Sequence, residues 1–159
     1  MVIDKKLLDE LTEQAKKSPR LRMNYDLRTS PEVQSQRMLN ALEPGTIMPI
    51  HRHKETSETV ICLRGHFEEY LYGFTEHRSD GTPDPESFGI VETVDMVPGG
   101  PIVNIPAGQW HSLKCLESGT VLFEAKDGAY RPLAEDEVFV RTSYVNDNVN
   151  VNDNVNFSC

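Results

Sequence analysis

The chain has 159 residues, enough for one domain with a full core and too few for two catalytic domains. Its 16 Lys and Arg against 25 Asp and Glu give a formal charge of −9, which repels phosphate backbones and anionic lipid and argues against nucleic-acid and membrane partners. No run approaches the roughly 20 apolar residues of a membrane span, and no signal-peptide core follows the charges of Met1–Lys6, so a cytoplasmic location is expected. Three scattered cysteines, Cys62, Cys115 and Cys159, fit neither a disulfide framework nor a Cys-x-x-Cys zinc site and are expected to be reduced.

In chain order, residues 3–17 place Ile3, Leu7, Leu8, Leu11 and Ala15 on one stripe among charged residues, which predicts a short amphipathic helix ended by Ser18-Pro19. The stretch through Ser30-Pro31 has no clean period and reads as an ordered arm or loop. From Gln36 the pattern becomes short β-type runs punctuated by Gly and Pro, at 36–42, 46–53, 58–64, 66–72, 88–97, 101–105, 110–116 and 119–126. Eight strands with no intervening helix predict an all-β sandwich or small barrel. The domain plan is a helix and arm over 1–34, a barrel over 35–135 and a C-terminal extension over 136–159. The run Val60-Ile61-Cys62-Leu63 is apolar on both faces, so its outer side needs cover from the helix or from a second subunit. Residues 77–85 carry the composition of an exposed hairpin at a pocket rim. Val145-Asn146-Asp147-Asn148-Val149-Asn150 recurs at 151–156, a pattern read either as a pairing strand or as a repeat tail without function.

The residues that carry chemistry begin at Gly45. They read Gly45-x5-His51-x-His53-x4-Glu58-x6-Gly65 and, later, Gly100-x5-Pro106-x-Gly108-x2-His111. On a strand, His51 and His53 would project two imidazoles to one side with Cα atoms about 7 Å apart. Four residues then allow a reversal that sets Glu58 beside them on the next strand. Pro106-Ala107-Gly108 turns the chain into the strand bearing His111. Three neutral imidazoles and a carboxylate suit one divalent first-row ion, Fe, Zn, Mn or Ni, with positions left for water or substrate.

These two segments resemble the paired motifs of the cupin superfamily, with Cys115 standing where the second motif usually ends in Asn. Further residues resemble the WbuC family of cupin-fold metalloproteins: Arg37-Met38-Leu39-Asn40-Ala41-Leu42, His51-Arg52-His53, Leu63-Arg64-Gly65, Val97-Pro98-Gly99-Gly100, Ile105–His111 and Phe123–Tyr130. The likeness spans about residues 20–135 and implies a cupin jelly-roll β-barrel with a short N-terminal helix, one bound metal and a homodimer. It also implies a setting in bacterial surface-polysaccharide metabolism, without a defined reaction.

Of the remaining polar residues, Glu124 and Lys126 share one strand face and form either an exposed ion pair or an inward pair that helps bind an anionic or sugar-like ligand. Arg37 and Asn40 have opposite strand parity, so at most one faces inward. Gln109 in the turn and Tyr130 after Gly128 complete the candidate substrate pocket of Arg37, Gln109, Glu124, Lys126 and Tyr130. Trp110, facing opposite to His111, is expected to pack, and Cys62 and Cys115 to line the apolar interior. The function expected is a metal-binding cupin acting on, or binding, a small polar sugar-related metabolite, as an isomerase, lyase or dioxygenase. The alternative is a metal-dependent sensor without catalysis.

Overall fold

A computed structural model describes residues 1–140. The helix α1 spans Lys5–Lys17, with Asp4 as N-cap accepting from the Leu7 amide and Lys16 and Lys17 in its last turn, each end matched to the helix dipole. Eight strands follow: β1 Arg22–Asp26, β2 Ser35–Leu42, β3 Glu58–Arg64, β4 Phe67–Phe74, β5 Phe88–Met96, β6 Ile102–Ile105, β7 Trp110–Cys115 and β8 Thr120–Asp127. They form a five-stranded sheet ordered β1-β2-β8-β3-β6 and a three-stranded sheet ordered β5-β4-β7, with every pairing antiparallel.

Alternation along each strand divides the apolar residues into two sets. Leu42, Val60, Cys62, Phe67, Met96, Val103, Ile105, Cys115 and Leu122 fill the space between the sheets. Leu39, Ala41 and Val121 face the other way and meet Leu11 and Ala15 of α1, with Met23, Leu63 and Phe123 around them. The helix therefore covers the outer face of the five-stranded sheet, including Leu63 of the doubly apolar strand. Arg64 fixes the helix there. Its guanidinium donates to Asp9 at 2.6 Å, to the Leu8 carbonyl at 2.8 Å and to the Gly119 carbonyl at 3.0 Å. At Gly65, with φ of +80°, a Cβ would lie 2.3 Å from the Thr120 hydroxyl oxygen, so the motif glycine is required by both conformation and space.

Two sequence expectations need correction. Residues 46–53 form no strand: the chain turns at Glu43–Thr46, Pro49 has no amide hydrogen to give a ladder, and His51 alone makes a bridge, to His111 and to Val138. Conversely, the aperiodic arm contains β1, an edge strand paired with β2, whose Met23 and Tyr25 are held by packing under α1 rather than by pattern. Cys62 and Cys115 are free and buried in the apolar interior, as expected. No helix among the described residues is long and apolar enough to cross a membrane. The repeat at 145–156 lies outside the described residues.

Candidate metal centre

Three chain segments bring the centre together at one end of the space between the sheets. Residues 50–53 run beside β7, where His51 and His111 exchange amide-to-carbonyl hydrogen bonds of 3.0 and 2.8 Å, and the Gly108 amide donates to the His53 carbonyl at 2.7 Å. On their other side the Arg52 amide donates to the Glu137 carbonyl at 2.9 Å and the Phe139 amide to the Ile50 carbonyl at 2.8 Å. The histidine segment is thus clasped between β7 and residues 137–139. Glu58 enters from β3, buried at the start of its strand.

The ligating atoms of His51, His53 and His111 all lie within 4.8 Å of one another, close enough to share one ion. Two of the three tautomers are arranged for it. His51 Nδ1 faces the Pro49 carbonyl at 3.1 Å and His111 Nδ1 the Gln109 carbonyl at 3.0 Å. A ring nitrogen facing a carbonyl must carry the hydrogen, which leaves each Nε2 lone pair available. His111 Nε2 is buried and has no well-aligned hydrogen-bond partner among the described residues, although Glu58 Oε1 lies only 2.8 Å away. An orphaned ring nitrogen beside a carboxylate is the arrangement a divalent cation satisfies. Glu58 Oε2 lies 3.3 Å from His53 Nε2, so the carboxylate reaches two of the three imidazoles. The three nitrogens can share one ion, with the Glu58 carboxylate beside two of them.

The surrounding charges act on the three groups differently. Burial, reinforced by the neighbouring His111, pulls His51 down to about 3 and keeps it neutral. Burial would raise Glu58, but its contacts with His111 and His53 and the nearby Lys126 ammonium hold it well below the usual carboxylate range. For His111 burial works downward and is outweighed by Glu58, so the imidazole sits above its ordinary value.

Lys126 Nζ lies 3.2 Å from His53 Nε2, 3.9 Å from Glu58 Oε2 and 3.6 Å from Glu124 Oε1. Both Lys126 and Glu124 therefore point inward on β8 and do not form an exposed pair. Asn40 donates to Glu124 Oε2 at 3.1 Å.

The other pocket candidates are placed elsewhere. Arg37 is exposed on the outer face of β2, and Asn40, of opposite parity, is the inward residue. Gln109 spends its side-chain amide on the Tyr72 and Trp110 carbonyls, at 2.7 and 2.9 Å, and braces the turn instead of facing a ligand. Tyr130 is exposed, with the Arg28 guanidinium over its ring at 5.6 Å, and does not line the cavity beside the histidines. Trp110 packs edge-on against Phe88 and Phe139, with Arg52 over its face at 4.4 Å.

That cavity, of about 50 Å³, is lined by His51, Glu58, Glu69, His111 and Glu124 among polar side chains and by Val60, Leu113 and Leu122 among apolar ones. Glu69 is absent from the sequence expectations. Its signal is parity: it lies two residues from inward Phe67 and from inward Leu71, on the same face of β4. Burial pushes Glu69 up to about 8, and burial together with the Glu58 charge pushes Glu124 up to about 7. Glu137 is the second omission. Fully buried, it takes the Arg131 guanidinium at 2.6 and 2.7 Å and the amides of Lys54 and Ala134 at 3.0 and 2.9 Å, which holds its carboxylate far below the ordinary range. It ties residues 131–137 to the chain just after His53. No local pattern marks it, because its partners come from separate stretches of backbone and side chain.

Comparison with known proteins supports the fold. A family model described as "Domain of unknown function (DUF6016)" matches residues 3–79, just under half of the chain; this span includes His51, His53 and Glu58 but not His111, and it is not the WbuC family. No curated protein sequence matches. Among solved structures, TT1209 from Thermus thermophilus is similar with a TM-score of 0.53 at 19% identity, over 80% of this chain and 96% of that one. KdgF from Halomonas sp. is similar with a TM-score of 0.52 at 15% identity, over 71% of this chain and 83% of that one. An oxalate oxidase is similar with a TM-score of 0.52 at 13% identity, over 72% of this chain and 54% of that one. At such identities the likeness is one of fold: this is a cupin-fold chain with a three-histidine cluster able to hold a metal.

Proposed function

We propose that the protein is a metal-dependent cupin that holds one divalent ion through His51, His53, Glu58 and His111 and acts on a small polar, sugar-related metabolite. The observation that carries the reading is the orphaned, buried Nε2 of His111, beside a carboxylate and within ligand range of two further imidazoles. The resemblance to the WbuC family supports the sugar-related ligand and the setting in surface-polysaccharide metabolism.

When bound, the ion would polarise a carbonyl or hydroxyl of the ligand, or activate water or dioxygen. The chain's own groups have distinct tasks around it. The Pro49 and Gln109 carbonyls hold the His51 and His111 rings in the ligating tautomer. Glu58 supplies the negative donor. Lys126, between His53 and Glu124, carries a proton at Nζ within reach of the metal edge of the cavity. Asn40 fixes the Glu124 carboxylate from behind. A homodimer is the assembly we propose, supported by Ile102, 61% exposed and paired with Ile61 on the outer face of the sheet edge.

The test is elemental analysis of protein purified without added metal and again after reloading. About one ion per chain is expected, and His111→Ala should lower affinity about a thousandfold, because it removes a ligand and leaves Glu58 without its partner. Failure of the wild-type chain to take up any ion after reloading would sink the reading.

A further inference from the structure

Lys126 stands where the metal reading above, on which this inference rests, leaves it without an acceptor. Its side chain is only 13% exposed, and among the described residues Nζ has one acceptor in hydrogen-bond range, His53 Nε2 at 3.2 Å. An ammonium has no lone pair, so the imidazole must accept, and His53 Nε2 carries the lone pair that ligation needs. The nearest Glu124 and Glu58 oxygens, at 3.6 and 3.9 Å, lie well beyond the roughly 2.7–2.9 Å of a charge-assisted hydrogen bond and act on Lys126 through charge alone.

Ammonium and ion therefore compete for one lone pair. Once His53 Nε2 is given to a divalent ion it no longer accepts from Lys126, and the ammonium is left desolvated beside a second positive charge. Glu124, anchored by Asn40 at 3.1 Å on its other oxygen, can take one of the three N–H donors of the ammonium, which leaves the others unmet. An oxygen bearing negative charge supplies the missing acceptor and offsets the repulsion between the two cations.

Access favours the same side of the centre. The His53 and Lys126 side chains are each 13% exposed, against 4% for His111 and 6% for Glu58. Neither His53 nor Lys126 lines the small cavity of about 50 Å³ that lies among His51, Glu58 and His111. A ligand reaching the ion from outside that cavity meets Lys126.

We propose that Lys126 is the anion-recognising residue of the loaded centre: released from His53, its ammonium donates to a carboxylate oxygen of a ligand bound to the ion, and it thereby selects small hydroxy acids over their neutral counterparts. The lysine has two settings, one for the empty centre and one for the loaded one, and only in the second does it need a partner from outside the chain.

The experiment uses the full-length Mn(II)-loaded protein and two isosteric probes, glycolate and glycolamide, with binding read from the Mn(II) electron paramagnetic resonance spectrum and metal content measured in parallel. The ion by itself favours glycolate, so the quantity compared is the change in the glycolate-to-glycolamide affinity ratio on substitution. Lys126→Met keeps the length of the side chain and removes its charge, and the ratio should fall about tenfold with one ion per chain retained at saturating Mn(II). Without a probe the same variant should bind Mn(II) several-fold more tightly than the wild type, because His53 is no longer shared; a merely structural role for Lys126 would not tighten it. Lys126→Gln, which can hydrogen-bond but carries no charge, should give both changes and serves if Lys126→Met does not fold. A ratio unmoved in a folded, loaded variant overturns the inference and leaves the metal reading intact, and so does Mn(II) binding no tighter than that of the wild type. A wild-type chain that takes up no Mn(II) overturns both.

Discussion

The two ends of the space between the sheets are built by the same strands with the same alternation, yet they do opposite things. At one end β3, β4 and β7 point Cys62, Phe67 and Cys115 inward, and these close into an apolar core. A few residues along the same rows the inward positions become Glu58, Glu69, His111 and Glu124. Strand parity settles which face a side chain occupies; its depth along the barrel settles whether that face is a core or a site. The apolar end supplies stability by burial. The polar end stores groups that burial penalises.

The sharpest way to separate the two ends is Phe67→Ala. Phe67 is fully buried at the apolar end, so its loss should cost about 3–5 kcal/mol of stability in denaturant unfolding, while metal stoichiometry in the folded fraction stays at one. A matching loss of metal content in folded protein would show that the ends are not independent.

Glu69→Gln tests the polar end through pH. In the metal-free fold, where no cation favours its ionised form, Glu69 is raised to about 8 from an ordinary value of 4.5, so the native state keeps a proton that the unfolded chain has released between those limits. Its contribution is fully present below about pH 4.5 and is lost as pH rises toward 8. The wild type should therefore lose stability relative to Glu69→Gln across that window, by on the order of 5 kcal/mol in total, followed by chemical denaturation at several pH values. A constant difference between the two proteins would show that Glu69 is not held protonated.

A smaller effect should follow Glu137→Ala. That carboxylate gathers Arg131, Lys54 and Ala134 and so braces the segment bearing His51 and His53 without touching the ligating atoms. Metal affinity should fall about 10- to 100-fold, the usual consequence of removing support behind a ligand, with the ion still bound at saturating concentration. An unchanged affinity in isothermal titration would assign Glu137 to fold stability alone.

Much of this architecture is legible along the chain. The helix, seven of the eight strands and the inward direction of Cys62 and Cys115 follow from periodicities of 3.6 and 2 that the sequence carries locally. The exceptions are physical. β1 has no period of its own because it is an edge strand stabilised by α1 above it, and the run at 46–53 has a β-type composition but Pro49 and only one bridging residue. Of the pocket candidates, parity turns Arg37 outward, and two backbone carbonyls take up the Gln109 side-chain amide.

By itself, then, the sequence determined the elements and the three histidines that cluster, because His51, His53 and His111 sit at spacings read along a single chain. The tertiary structure alone decided that Glu69, Glu124 and Asn40 share the site, and that Glu137 braces it from a segment more than 80 residues beyond Lys54. Those relations depend on strand register and on contacts across large separations, which no local pattern encodes.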